Sequence, residues 1–232
     1  PSDVIMSSPM RSFGVAIVAV AAGLVAKNFL VEKEADHAVG VSSEGREFLL
    51  AFGSCVHHDR RPWRVFDTIA ESQADVFIFM GDLIYPDWGN TSHGLDDLSQ
   101  LKKGEYASLL NRLYTEAFED SSLSNLMASD TTRSYFMWDD HELQDNYDMG
   151  TETEIYAVAR EAFDKHVAFR NPPPLREGEL FYTLKDEDHG FSAFVLDTRS
   201  HRSPLSMPDT MGSGKSMLGI VQLQVCELCQ GV

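Results

Sequence analysis

Apolar residues fall along this chain in two alternating kinds of block. Short continuous runs suited to buried strands occupy 48–52, 75–80 and 134–138. The first two are stopped by Gly53 and Gly81, and the third by Asp139. Between them the spacing changes to that of an amphipathic helix. Over 63–72 the apolar positions are Trp63, Val65, Phe66, Ile69 and Ala70; over 105–118 they are Tyr106, Leu109, Leu110, Leu113, Tyr114 and Phe118. Strand, helix, strand over 48–80 predicts a parallel β-α-β unit with a right-handed crossover. Another helix is predicted over 154–169 and is closed by Asn171 and the prolines 172, 173 and 174, which cannot continue it. The runs 180–184 and 191–196 flank the polar stretch 185–190 and predict a hairpin. Residues 203–215 read as a loop, and no internal repeat is visible. The class is α/β.

The first 46 residues follow a different pattern. Met10-Arg11-Ser12 precedes an uncharged apolar run over 13–26. Its length suits the ~7–15-residue apolar region of a secretory signal and falls short of the ~20 residues that span a bilayer. Ala19-Val20-Ala21 resembles a cleavage site, and Met6 or Met10 could start translation. The division expected is a leader over 1–26, with signal peptide or anchor, a polar linker over 27–46 and one domain over 47–232. A buried apolar helix, or an uncleaved anchor lengthened by Phe29-Leu30-Val31, is the alternative for the leader. The Asn90-Thr91-Ser92 sequon agrees with a secreted or extracytoplasmic location.

Composition narrows the partners. With 43% hydrophobic and 24% charged residues in 232, a sizeable core forms and disorder is excluded. A net charge of −17 repels phosphate backbones, so no nucleic-acid partner is expected, and a membrane is met only through the N-terminal anchor. Such acidity either keeps the chain soluble or gathers carboxylates around cations. Three cysteines cannot close a disulfide framework. Cys226 and Cys229 form a C-x-x-C without a second pair, a weak zinc or redox signal.

The strand ends carry the chemistry. Cys55, then Asp82 with Tyr85, then Asp139, Asp140 and His141, then Asp197 with Arg199 each follow an apolar run. In an open α/β sheet, residues at the carboxyl ends of strands converge on one crevice. Carboxylate, phenolate and thiolate donors are anionic and suit a trivalent or hard divalent cation. Two close metals would clamp a phosphoryl group and generate a hydroxide nucleophile at neutral pH. His141 could donate to the leaving oxygen, and Arg199 could hold a phosphate oxygen through its fork.

Phe-Gly-Ser-Cys (52–55), Gly-Asp-Leu-Ile-Tyr-Pro-Asp (81–87), Trp-Asp-Asp-His-Glu-Leu-Gln-Asp-Asn (138–146) and Leu-Asp-Thr-Arg-Ser-His-Arg (196–202) resemble the PhoD-like alkaline phosphatases of the calcineurin-like metallophosphoesterases. The resemblance implies a β-sandwich of mixed sheets flanked by helices, and hydrolysis of phosphomonoesters and phosphodiesters. It implies Cys55, Asp82 and Tyr85 on Fe3+, with Asp82 bridging to Ca2+ or another divalent ion. Asp140, helped by Asp139, would hold the second metal. His141 would be the transition-state histidine, Arg199 the phosphate contact, and Asn146 and Asp197 orienting groups behind the ligands.

The pattern departs from the family after Leu218-Gly219-Ile220-Val221-Gln222. The family continues with a tryptophan-bearing helix, further strands and a late Gly-Asp-x-His motif, none of which follows here. The expectation is a chain truncated at its C-terminal side, with an incomplete metal shell, weakened or lost activity and an unpaired sheet edge. Two other functions compete: a non-catalytic metal- or partner-binding protein of the same fold, and an acidic calcium module. The D-x-D-x-D-G loop of the latter is absent.

Overall fold

The computed structural model describes residues 14–18, 48–88, 102–150 and 153–229. The expected leader (apart from 14–18), the linker and the Asn90 sequon lie outside them. The elements, in order, are β1 (Gly14–Val18), β2 (Leu50–Gly53), α1 (Val65–Glu71), β3 (Val76–Met80), α2 (Lys103–Phe118) and α3 (Ser121–Met127). They continue with β4 (Arg133–Met137), α4 (Thr153–His166), β5 (Tyr182–Asp186), β6 (Phe191–Val195) and α5 (Gly219–Cys229).

Two three-stranded sheets result. One is wholly parallel, in the order β2-β3-β4; the other is mixed, in the order β1-β6-β5, with β5 and β6 antiparallel and β1 parallel to β6. β3 is the central strand of the parallel sheet, and its Val-Phe-Ile-Phe run is buried throughout, as a strand covered on both faces must be. Phe66 of α1 packs its ring against Phe77 and Phe79, 6.0 Å from each. α1 packs on α3, and α2 on α4. β2 has a neighbour on one side only among the described residues, and Phe52 on it is 59% exposed.

The two sheets share one apolar core. Val76–Phe79, Phe136, Tyr182, Leu184, Ala193 and Val195 belong to the same buried cluster. Across the join, the Tyr182 hydroxyl donates to the Phe136 carbonyl at 2.9 Å, and Arg133 pairs with Asp186. The mixed sheet is buried on both faces by its period of two. Ala193 and Val195 face the common core, whereas Phe194 and Leu196, with Phe181, meet Leu218, Val221 and Val225. α5 thus covers the outer face. The architecture is α/β, with parallel and antiparallel sheets flanked by helices.

Four elements differ from the sequence reading. α3 is an additional helix, started by Asp120, whose carboxylate accepts from the N–H groups of Ser122 and Leu123 at 3.1 Å. The helix expected over 154–169 ends at His166 and tightens into a 3₁₀ turn over Ala168–Arg170. α5 is a helix where no element was expected, and β1 runs as a strand within the expected leader. No helix among the described residues is long and apolar enough to cross a membrane.

Candidate metal centre

Because β2, β3 and β4 are parallel and in register, their carboxyl ends open on one edge. β2 delivers Cys55, β3 delivers Asp82, Tyr85 and Asp87, and β4 delivers Asp139, Asp140 and His141. The loops are laced together by backbone bonds: the Cys55 N–H donates to the Gly81 carbonyl at 3.0 Å, and the Val56 N–H to that of Asp82 at 3.1 Å. Cys55, Asp82 and Asn146 all adopt positive φ, of 64°, 63° and 57°. Such backbone is disfavoured for residues with a Cβ, and at Cys55 and Asp82 it is held by these bonds. Gly81, at φ 103°, is required for a second reason: a Cβ there would lie 2.3 Å from the Asp139 nitrogen. The close approach brings the β3 and β4 ends together.

The Asp82 carboxylate is the hub. Its Oδ2 accepts from the Cys55 thiol at 3.2 Å and from the Tyr85 hydroxyl at 3.4 Å. Asp82, Asp140 and His141 bring one ligand atom each to within 4.8 Å of one another. Burial, then the charges of Asp139 and Asp140, push the Asp82 carboxyl up to about 6. Burial and the Asp82 charge push the Cys55 thiol up to about 12 and raise the Tyr85 phenol as well. Three acidic groups thus face one another, each resisting ionisation first because it is buried and then because its neighbours are acidic too. A multivalent cation removes that conflict, and thiolate, phenolate and carboxylate are the donors that hard or borderline cations take. The residues fit a metal.

His141 is aimed by Asp87. Its Nδ1 lies 2.9 and 3.0 Å from the two Asp87 oxygens, and Asp87 also accepts from the Asp145 N–H. Burial alone would lower the His141 pKa; the Asp87 hydrogen bond and charge overturn this and raise it to about 9. Beneath the hub, buried Glu142 accepts from the N–H groups of Asp82, Leu83 and Asp139 at 3.0, 2.7 and 2.9 Å. Burial and the Asp82 charge raise its carboxyl to about 8, and the three N–H bonds act against that rise. Both residues were missed as site groups in the sequence, although each stands inside a quoted motif, at the end of Gly-Asp-Leu-Ile-Tyr-Pro-Asp and after Asp-Asp-His.

The mixed sheet contributes a second corner. Arg199 is 1% exposed, and its guanidinium binds Asp139 through Nε and Asp140 through Nη2, the latter at 3.1 Å. Burial raises the Asp139 carboxyl, and Arg199 opposes the rise. Expected at a phosphate oxygen, Arg199 grips two carboxylates here, through Nε and Nη2. Asp197 lies behind it, fully buried, accepting from the Trp138 indole and the Arg199 and Ser200 N–H groups, each at 3.0 Å. Gln222 of α5 fastens this strand end from outside: Asp197 N–H donates to its Oε1 at 2.8 Å, and its Nε2 donates to the Asp197 carbonyl at 2.7 Å. Asn146 is exposed and acts through its backbone N–H, which donates to Asp140 at 2.6 Å.

Elsewhere, His57, His58 and Asp59 also bring ligand atoms within 4.8 Å, on a single 3₁₀ turn. Cys226 packs with the α5 apolar cluster rather than near the Asp82 edge.

The sequence model of a family described as PhoD-like phosphatase matches residues 50–227. Among solved structures, one titled "Structure of PhoD" is similar, with a TM-score of 0.52 and 22% identity over 76% of this chain and 37% of that one. The chain therefore spans little more than a third of that protein's length, and the likeness is one of fold. No curated protein matches. With the match running from the first residue of β2 into α5, across every strand end described above, the chain belongs to the PhoD-like phosphatase family.

Proposed function

We propose that this chain belongs to a secreted, metal-dependent phosphoester hydrolase acting on phosphomonoesters or phosphodiesters. One observation carries the reading: Cys55, Asp82, Tyr85, Asp140 and His141 meet at one sheet edge, with Asp87 aligning His141. Cys55, Asp82 and Tyr85 would hold a ferric ion, and Asp140, helped by Asp139 and sharing Asp82, a calcium or similar divalent ion. When bound, such cations polarise the phosphoryl oxygens and acidify a water.

The chain's own residues do the rest. Asp87 accepts the Nδ1–H of His141, which leaves Nε2 to carry the second proton of the imidazolium. A proton at Nε2 neutralises the leaving oxygen as the P–O bond breaks. Glu142 sets the backbone of Asp82, Leu83 and Asp139 so that their side chains are oriented before substrate arrives. Arg199 holds Asp139 and Asp140 at a fixed separation and limits their mutual repulsion.

The test is hydrolysis of 4-nitrophenyl phosphate and bis(4-nitrophenyl) phosphate with Fe3+ and Ca2+ supplied. Turnover that disappears in Asp82→Asn supports the reading. A folded, metal-binding chain without turnover would show a non-catalytic binding protein, and activity surviving Asp82→Asn would refute the assigned ligands.

A further inference from the structure

Beside the carboxylates, the rings of His141, Tyr85, His57 and Trp88 form one connected wall. Tyr85 lies 4.4 Å from His141 and 5.3 Å from His57, centroid to centroid. Trp88 stands edge-on to the other three, 5.4 Å from His57 at 77°, 6.1 Å from Tyr85 at 90° and 6.2 Å from His141 at 68°. The wall begins at buried Tyr85 and ends at Trp88, which is 46% exposed. Aromatic pairs prefer edge-to-face or offset geometry, so three rings already fix the Trp88 plane while part of its surface stays open to solvent.

His57 adds a polar feature. Its Nδ1 accepts from the Asp59 N–H at 3.3 Å, which puts the ring proton on Nε2. That nitrogen is buried and has no hydrogen-bond partner. Buried donors are rarely left unmatched, and a donor of this kind next to a reaction site awaits an acceptor from outside.

Resting on the phosphoesterase reading above, we propose that Trp88 and His57 form the subsite for the organic part of the ester, favouring leaving groups with a planar aromatic ring over aliphatic alcohols. The leaving oxygen must come to His141, which protonates it. The carbon skeleton attached to that oxygen then lies along the wall, in which His141 contacts both Tyr85 and Trp88. A flat ring stacks on Trp88 whatever its detailed pattern, because every aromatic has a π-face. A ring carbonyl, hydroxyl or nitrogen takes the Nε2–H of His57. Aliphatic esters of the same charge use the same cations and gain neither contact.

Binding of phenylphosphonate and methylphosphonate, which cannot be hydrolysed, is compared by calorimetry on the full chain with Fe3+ and Ca2+ supplied. The variants are Trp88→Ala and Trp88→Phe; for His57→Ala the probe is 4-hydroxyphenylphosphonate, whose gain over phenylphosphonate is expected in the wild type and lost in the variant, and a gain that persists overturns the His57 contact. The wild type is expected to bind the phenyl compound about ten-fold more tightly, the scale of one aromatic contact plus its buried area. Trp88→Ala abolishes that preference and leaves methylphosphonate binding unchanged, and Trp88→Phe restores most of it. Equal affinities in the wild type, binding of neither compound, or a preference that survives Trp88→Ala overturns the subsite. Parallel assays with phenyl phosphate and ethyl phosphate separate the two readings. An aryl preference in binding without turnover of either ester overturns the enzyme and leaves the subsite standing. Turnover of both with equal kcat/KM and equal phosphonate binding overturns the subsite alone.

Discussion

The two corners of the site solve the same electrostatic problem in opposite ways. Around Arg199, two carboxylates, Asp139 and Asp140, share a buried guanidinium, and Asp197 and Gln222 brace the segment from behind. Around Asp82, a carboxyl, a thiol and a phenol face one another, and no Lys or Arg side chain pairs with them among the described residues. The first corner supplies its own cation from the sequence. The second has its acidic groups raised by burial and then by the charge of neighbouring acidic groups. On the proposed reading, the Arg199 corner braces Asp139 and Asp140 from within the chain, and the Asp82 corner is completed by cation from solution. A buried pair that is intact contributes little net stability, whereas one that has lost a partner is costly.

That contrast can be broken from either side. The largest effect is expected for Arg199→Ala in the cation-free protein. It strands two buried carboxylates and should cost about 3–5 kcal/mol in urea unfolding. A loss below about 1 kcal/mol, the range of a surface pair, would show that the guanidinium is not the scaffold. Next in size is the response of the Asp82 corner to cation and pH. Asp82, Glu142 and His141 hold protons more tightly in the folded chain than in the unfolded one, titrating at about 6, about 8 and about 9. The stability that these three groups contribute to the cation-free protein is therefore fully present below the unfolded carboxyl range of about 4. It falls as pH rises through about 6 to about 9, since the folded state then loses protons that it held more firmly. Cation at 100 times its Kd should add about 2.7 kcal/mol at pH 8 and cancel that fall. Thermal melts across pH 5–9 with and without Ca2+ and Fe3+ (a range set by the roughly neutral window of these groups) check it, and a slope unchanged by cation would contradict the comparison.

Gln222→Ala tests whether the scaffold extends to α5. It leaves the buried Asp197 N–H and carbonyl without partners and should cost about 1–3 kcal/mol in urea unfolding. Smallest is Asp186→Asn. His189 and Arg133 hold the Asp186 carboxyl down at about 2, below its unfolded value, so its contribution is present above about 4 and is lost as pH falls through about 2. Arg133 is half exposed, so the effect should stay under about 1 kcal/mol and shrink in high salt, read as a shift in melting temperature.

Much of this was legible in the sequence where periodicity and punctuation agree. The runs at 48–52, 75–80 and 134–138 became β2, β3 and β4, because continuous apolar segments closed by Gly or Asp have few alternatives in a buried sheet. The helix over 105–118 followed from spacing alone. α3 escaped notice because seven residues give barely two turns of pattern, though Asp120 before Leu123 and Leu126 was a readable cap and face. α5 was obscured by an apolar composition with little amphipathic contrast, since it lies on the outer face of a sheet already buried on its inner one. Asp87 and Glu142 were hidden differently. An acidic residue in a motif looks the same whether it binds metal, orients a histidine or receives backbone N–H groups, and only packing distinguishes them.

Local chemistry along the chain therefore determined which elements form, that the strands alternate with helices, and that Cys55, Asp82, Tyr85, Asp140 and His141 all sit just past strand ends. These properties depend on neighbours within a few residues. The tertiary structure alone decided that Arg199 turns inward to Asp139 and Asp140, that Asp87 meets His141 54 residues away, and that Gln222 clamps Asp197. Each of those is set by the parallel register and by which buried polar group lies nearest once the sheets close. A buried guanidinium or carboxylate must take the partner that the fold brings to it, and linear order does not specify that partner.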